Sequence, residues 1–299
     1  MTTLRARARG SLAYRFGTLA RTLLAMRSPR YPIGRPTNDC EVLTFAGAPY
    51  RLMVEQFLYS LAMSWSTLPR VAIALNRDED RASFEDLARV WPGSLELVSP
   101  SQVRDRLEGH GLDDLLTFAE REAMGRKLAA VAARAFDGRL LYADVDVLWF
   151  GDGSQLYGFD RGGEAELVAS EDYQAAYDAR LVPTRMPSLA RAPFLCAGFL
   201  LVRGDFLRAA GMESFLEFLA ENGVFFSEQT VVAEAVHRLG RVTFPRTLVY
   251  SGEADKLSLA PTYLGKGWIA RHYVSPSRHL LWRDALALRC GAGRIKAAR

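Results

Sequence analysis

Between residues 41 and 150, apolar runs alternate with stretches of helical spacing. Residues 41–46 (EVLTFA), 70–76 (RVAIALN), 94–98 and 138–143 (GRLLYA) carry the β-branched and aromatic enrichment of strands. Residues 50–65, 83–91 and 113–136 carry apolar residues every three to four positions and predict helices, the last of them long. The run 138–143 is almost wholly apolar, which predicts a central strand covered on both faces. Repeated strand–helix–strand order implies an α/β fold with a mostly parallel, doubly wound sheet flanked by helices. Beyond residue 150 the pattern loosens, with strands predicted at 167–170 and 199–203 and helices at 206–219 and 228–239. There is no internal repeat and no low-complexity tract.

The first 38 residues follow a different rule. Leu12, Phe16, Leu19, Leu23 and Met26 recur at helical spacing, and Pro29, Pro32, Gly34 and Pro36 then interrupt the chain as far as Asn38. This stretch has no acidic residue but carries Arg5, Arg7, Arg9, Arg15, Arg21, Arg27, Arg30 and Arg35. Removing those eight charges from the net +4 leaves a body of −4, so the basic pI belongs to the arm. The division expected is a basic arm and linker at 1–38 and a body at 39–299, whose halves run over about 39–150 and about 151–299. For the arm, three readings compete: adsorption to an anionic membrane surface, nucleic-acid binding, and a solvated or protein-docked extension. No aromatic stacking platform supports nucleic acid as a partner, and the amphipathic pattern favours the membrane.

The composition, 49% hydrophobic and 24% charged, is that of a chain that buries a core. Cys40, Cys196 and Cys290 are too few and too scattered for a disulfide framework or a CxxC zinc site, which suits a reducing compartment. No apolar run approaches the roughly 18 residues of a membrane span, and the N-terminus shows no signal-peptide h-region. The expected location is cytoplasmic, peripheral at the inner face of the membrane if the arm binds there.

The first strand leads into Gly47, Ala48, Pro49 and Tyr50, so no GxGxxG follows it, and no GxxxxGK[ST] occurs anywhere. Dinucleotide oxidoreductases and P-loop enzymes are thereby demoted. The informative segment is 140–150, LLYADVDVLWF, in which an apolar strand ends in Asp144 and Asp146. Open α/β sheets bind ligands outside the carboxyl ends of their strands. Two carboxylates one residue apart, where strand geometry relaxes into a turn, can converge on a hard divalent cation.

The run GRLLYADVDVLWFGD, following Lys127 and its helix, resembles the core of the GT-A nucleotide-sugar glycosyltransferases. Within them it is most similar to the family 8 group that includes lipopolysaccharide α-galactosyltransferases and glycogenin. Three later segments match in order. FLCAGFLLVR at 194–203 resembles a strand motif of Asn, Ala or Ser, then Gly, with Cys196 in place of the usual asparagine. SEQT at 227–230 resembles an Asp-Gln pair opening a helix, and RHYVSPSRHLLWRD at 271–284 resembles the closing His-Tyr-x-Gly-x-x-Lys element. The similarity covers roughly residues 41–285.

The resemblance implies roles residue by residue. Asp144, Asp146 and His272 would hold Mn²⁺ or Mg²⁺, with His279 as the alternative histidine. Arg278, replacing the family lysine, and Ser275, replacing its glycine, would approach the diphosphate, and Lys127 would contact sugar or diphosphate. Phe45, Ala46 and Asn76 lie where the family holds the nucleoside. Glu171, Asp172, Cys196, Ala197 and Gly198 would face the donor hexose, and Glu228 and Gln229 the reacting centre. Trp149, Phe150, Trp268, Tyr273 and Trp282 fit either the acceptor site or the core, and 181–193, with Pro183, Pro187 and Pro193, suits a lid or acceptor loop.

The expectation is a metal-dependent, retaining glycosyltransferase using a nucleotide sugar, UDP-hexose first, and a saccharide, glycolipid or other envelope acceptor. Two alternatives stand beside it. One is a sugar-phosphate nucleotidyltransferase, which would want a Gly-rich basic loop after the first strand. The other is a non-catalytic membrane-surface-binding protein on a degenerate transferase body.

Overall fold

The computed structural model of the protein describes residues 4–32, 34–159, 163–182 and 184–291, so Pro183 lies outside the described residues, as do the side chains of Arg5, Arg7 and Arg9. Strands β1 (Thr37–Ala46), β2 (Leu68–Leu75), β3 (Leu95–Val98) and β4 (Leu140–Ala143) run parallel in the order β3-β2-β1-β4. A second, three-stranded sheet is started by β5 (Val147–Trp149). The main sheet continues through β7 (Phe194–Arg203), antiparallel to β4, then β6 (Glu166–Asp172) and β8 (Val242–Phe244). In the small sheet β10 (Ala270–His272) lies between β5 and β9 (Val249–Ser251). The sheet is thus mostly parallel, with β7 the reversed strand.

Neighbouring residues of β1 explain its unbroken apolar run. Val42 belongs to the core on one face of the sheet and Leu43 to the core on the other. Helix α1 (Leu4–Ala25), α2 (Arg51–Ser64) and the small sheet share the first face with α10 (Arg278–Arg289), and α3 (Glu85–Val90) adds Leu87 to it. The opposite face carries α4 (Pro100–Glu108), α5 (Asp113–Arg121), α6 (Ala123–Ala135), α7 (Phe206–Ala209), α8 (Glu213–Asn222) and α9 (Ser227–Arg238). Helix α4 opens on a capping box in which Ser99 and Gln102 satisfy each other's backbone N–H groups.

Two predicted helices are each a pair. The long helix over 113–136 breaks at Glu122, whose backbone is extended, and α5 folds against α6. Gly125 permits this, since a Cβ there would collide with the backbone of Phe118. The helix over 206–219 breaks at Gly211, which takes a left-handed φ of 62°. In both cases the apolar spacing continued across the break; α5 then packs on α6, and α8 packs on α5.

The N-terminal helix forms over the residues whose spacing predicts it, but it docks through a different face. Ala13, Gly17, Ala20 and Leu24 are buried against α10. Gly17 is the closest point, because a Cβ on it would overlap the backbone carbonyl of His279. The larger stripe of Leu12, Phe16, Leu19, Leu23 and Met26 stays between 42% and 71% exposed, pointing away from the body. Small residues won the interface because they let two backbones approach. Gly17→Val should therefore loosen α1 from α10 and destabilise the chain by about 1–3 kcal/mol, the usual range for overpacking. Thermal unfolding together with limited proteolysis of residues 1–36 checks this, and unchanged melting and cleavage would mean that the helix contributes nothing to stability.

Candidate active site

Asp144 follows the last residue of β4, and its backbone N–H donates to the Gly198 carbonyl of β7 at 2.9 Å. The chain turns at once, with the Val147 N–H donating to the Asp144 carbonyl at 3.0 Å, and enters β5. Strand β10 pairs antiparallel with β5 so that His272 stands opposite Val147. That register carries an imidazole from far along the chain to the two carboxylates. His272 Nε2 lies 3.1 Å from Asp146 Oδ1 and 3.6 Å from Asp144 Oδ2. Ligand atoms of Asp144, Asp146 and His272 all fall within 4.8 Å of one another, and this is the one such cluster among the described residues.

The surroundings fit a divalent cation. Cys196 Sγ is 3.4 Å from His272 Nδ1, which occupies that nitrogen and leaves Nε2 directed at the carboxylates. A Cβ on Gly198 would strike both His272 and Asp144, so only glycine lets β7 form the floor. Two oxygen donors and an imidazole make the mixed set that suits first-row divalent ions. The buried hydroxyls of Ser251, opposite His272, and Ser170, opposite Cys196, have no hydrogen-bond partner among the described residues.

Charge balance explains the titration behaviour. Burial pushes the Asp146 carboxyl up, but His272 and Arg278 hold it down at about 2. Arg278 reaches Asp146 Oδ2 at 2.7 Å while its side chain stays 45% exposed. Burial works against a charge on His272, yet Cys196 and Asp146 raise its pKa well above the usual value. Burial also raises the Cys196 thiol, so Asp146 is the standing negative charge beside the imidazole. Lys127 is buried between Asp144 Oδ1 at 3.0 Å and Glu228 Oε1 at 3.3 Å. Burial disfavours its charge, and those two carboxylates more than restore it. Burial, helped by Asp144, pushes Glu228 up to about 7 although Lys127 opposes it.

The other residues singled out from sequence divide into two groups. Gln229 Nε2 donates to Asp172 at 3.2 Å and to the Leu195 carbonyl at 3.1 Å, which ties the start of α9 to the ends of β6 and β7. Burial raises the Asp172 carboxyl. Asn76, at the end of β2, accepts from Arg126 Nε at 2.8 Å, and its N–H donates to the Ala46 carbonyl, next to Phe45. Ser275 is exposed at the start of a short turn leading to Arg278. Ala197, by contrast, packs into the helical core on the other face, and Glu171 alternates away from Asp172 along β6. His279 sits apart from the carboxylates, with Nε2 2.9 Å from the Lys256 carbonyl and its ring 6.0 Å from that of Tyr14.

Among the aromatics, Trp149, Phe150 and Tyr273 are core, Trp268 stacks on Tyr250 at 4.3 Å, and Trp282 packs under Arg21. The segment around 181–193 is anchored by buried Leu181, Met186 and Leu189. Sequence reasoning missed Tyr142, whose hydroxyl donates to Asp144 Oδ1 and whose ring lies 5.2 Å from Lys127 Nζ. Its signal was the lone hydroxyl in LLYA.

No family model and no curated protein matches the chain. Solved structures do. The bifunctional glycosyltransferase WbbM in its apo form superposes with a TM-score of 0.55 at 11% identity, over 85% of this chain and 51% of that one. The apo form of the glycosyltransferase GlyE of Streptococcus pneumoniae TIGR4 superposes with a TM-score of 0.52 at 14% identity, over 85% of this chain and 63% of that one. The chain has the GT-A glycosyltransferase fold. It spans about half of WbbM and less than two thirds of GlyE. In this GT-A fold the cluster of Asp144, Asp146 and His272 stands at the carboxyl edge of the central strand, where sequence and sheet topology both place a ligand crevice.

The raised Glu228 gives a pH signature. The folded chain keeps a proton that the unfolded chain releases above about 4.5, so this group's stabilisation is full below that pH and is lost as pH rises through about 7. In metal-free protein, Glu228→Gln should therefore gain stability relative to wild type between pH 5 and 8, by about 2–4 °C in melting temperature for each kcal/mol. A pH series of thermal melts checks this, and a constant offset would contradict it.

Proposed function

We propose that this chain is a metal-dependent, retaining glycosyltransferase that moves a hexose from a nucleotide sugar, UDP-hexose first, to a saccharide or lipid-linked acceptor. The observation that carries the reading is the convergence of Asp144, Asp146 and His272 at the sheet edge, with Arg278 2.7 Å from Asp146. These three residues would hold Mn²⁺ or Mg²⁺, ions that suit carboxylate ligands. Such an ion neutralises the charge that develops on a departing diphosphate.

The protein's own groups have separable tasks. Arg278, half in solvent, presents a planar guanidinium that suits bidentate binding of phosphate oxygens. Lys127 and Tyr142 fix the Asp144 carboxylate from two sides. Phe45, Ala46 and Asn76 border the nucleoside end of the crevice, and Asp172, Cys196 and Gly198 its sugar end. Gln229, with its Nε2 engaged by Asp172 and Leu195, keeps its amide oxygen for the reacting face. An amide is a weak nucleophile, so substitution runs on the front face of the sugar. The acceptor oxygen forms the new bond to the anomeric carbon as the bond to the diphosphate breaks. The acceptor proton passes to the departing phosphate oxygen.

The exposed stripe on α1 supports a place at an anionic membrane surface. Leu12, Phe16, Leu19 and Leu23 form an apolar ridge on a segment without acidic residues. No described helix is long and apolar enough to cross a membrane, so association would be peripheral.

Asp144→Asn and Asp146→Asn should each lower Mn²⁺-dependent UDP-hexose turnover by about 100-fold or more, the scale of several kcal/mol of transition-state stabilisation, with the fold retained by circular dichroism. Near-normal turnover at saturating Mn²⁺ in either variant would move the ion elsewhere, and no turnover by the wild type with any nucleotide sugar would favour a non-catalytic role. Replacing Leu12, Leu19 and Leu23 together by serine should reduce sedimentation with phosphatidylglycerol vesicles. The binding that remains should weaken as salt screens the arginines, each worth about 1 kcal/mol near the surface. Equal sedimentation of both proteins would leave the ridge without a membrane role.

A further inference from the structure

A cavity of about 530 Å³ lies between α1 and the start of α10, beside the cation site and outside the residues assigned to the donor, Ser275 and Arg278 excepted. Tyr14 and Arg21 enter it from α1, Lys256 and Leu257 from the segment before β10, and His279 and Trp282 from α10. Arg278, the residue that touches Asp146, is part of its wall, so the cavity adjoins the cation site through that side chain.

The charges around it are unevenly matched. Lys256 is held by Glu253 at 2.7 Å, and Arg278 by Asp146 at 2.7 Å. Burial lowers the His279 pKa, which favours the neutral ring. Arg21 differs from all of these. Its guanidinium lies over the face of Trp282, 5.3 Å from the ring centroid, and it has no carboxylate partner among the described residues. No acidic side chain lines the cavity. A guanidinium oriented by an aromatic face and left without an anion is a preorganised phosphate ligand.

We infer that this cavity is the acceptor subsite and that the acceptor is a saccharide carrying a phosphate, bound by Arg21. The inference rests on the glycosyltransferase reading and adds the chemical class of the second substrate. The volume falls within the range of small-ligand pockets and accommodates a sugar phosphate. A sugar seated between Tyr14 and Leu257, with its phosphate on Arg21, presents its far hydroxyls toward Arg278 and the cation site. The same phosphate chemistry belongs to a free glycosyl phosphate and to a lipid-linked one. The N-terminal helix thereby becomes a wall of the substrate site.

The test measures binding by calorimetry with UDP and Mn²⁺ present, so that the donor site is filled. The probes are glucose 1-phosphate, its decyl phosphodiester and neutral methyl glucoside. At least one phosphate probe should bind 10-fold or more tightly than methyl glucoside, and the tighter of the two identifies a free or a lipid-linked source. Arg21→Gln should abolish that preference and Arg21→Lys should keep part of it, with UDP–Mn²⁺ affinity and melting temperature unchanged in both. Equal binding of charged and neutral probes, no binding of any, or a preference that survives Arg21→Gln would overturn the inference. Failure of the wild type to bind UDP with Mn²⁺ would instead overturn the glycosyltransferase reading.

Discussion

Three carboxylates, Asp144, Asp146 and Glu228, are gathered in one poorly solvated crevice, and their charge must be balanced there. Lys127, His272 and Arg278 supply the balance, and each comes from a different part of the chain. Lys127 rides on α6, Glu228 on the first turn of α9, His272 on β10, and Arg278 opens α10. The fold therefore brings together charges from segments far apart in the sequence.

The same balance readies the crevice for a cation and an anionic ligand. His272 faces the carboxylates of both Asp144 and Asp146, and Arg278 that of Asp146. Strand β7 supplies the floor through Gly198 and orients His272 through Cys196. The reversed strand of the sheet therefore carries the tightest steric requirement of the site, because a side chain at position 198 would occupy the space that two of the ligands need.

Helices α1 and α10 are packed together next to the site. Helix α1 lies along α10, whose first residue is Arg278, so the N-terminal segment packs on the element that brings the guanidinium to Asp146. One flank of α1 borders the cavity that Arg278 also lines, and the other carries the exposed apolar ridge. Substrate access and surface attachment would then share a single helix.

The local pattern by itself determined the strand-and-helix order from β1 to β4, apart from α4 and the break between α5 and α6, and marked Asp144 and Asp146 as the chemistry-bearing pair. Both follow from short-range physics: period-2 and period-3.6 burial, and two charges that stand out in an apolar strand. His272, Arg278 and Glu228 could be named only through resemblance, since nothing in their own neighbourhoods announces a ligand. The three-residue strands β5, β9 and β10 are too short to leave a periodic signal, yet the β5–β10 register is what brings His272 to the carboxylates. The docking face of α1 was hidden for a related reason. Hydrophobic spacing picks out large residues, whereas the interface formed through Ala13, Gly17 and Ala20, whose value lies in how closely they let two backbones approach. Which residues meet across the chain, and which charges find partners, depended on pairing and packing between distant segments, and these only the tertiary structure decided.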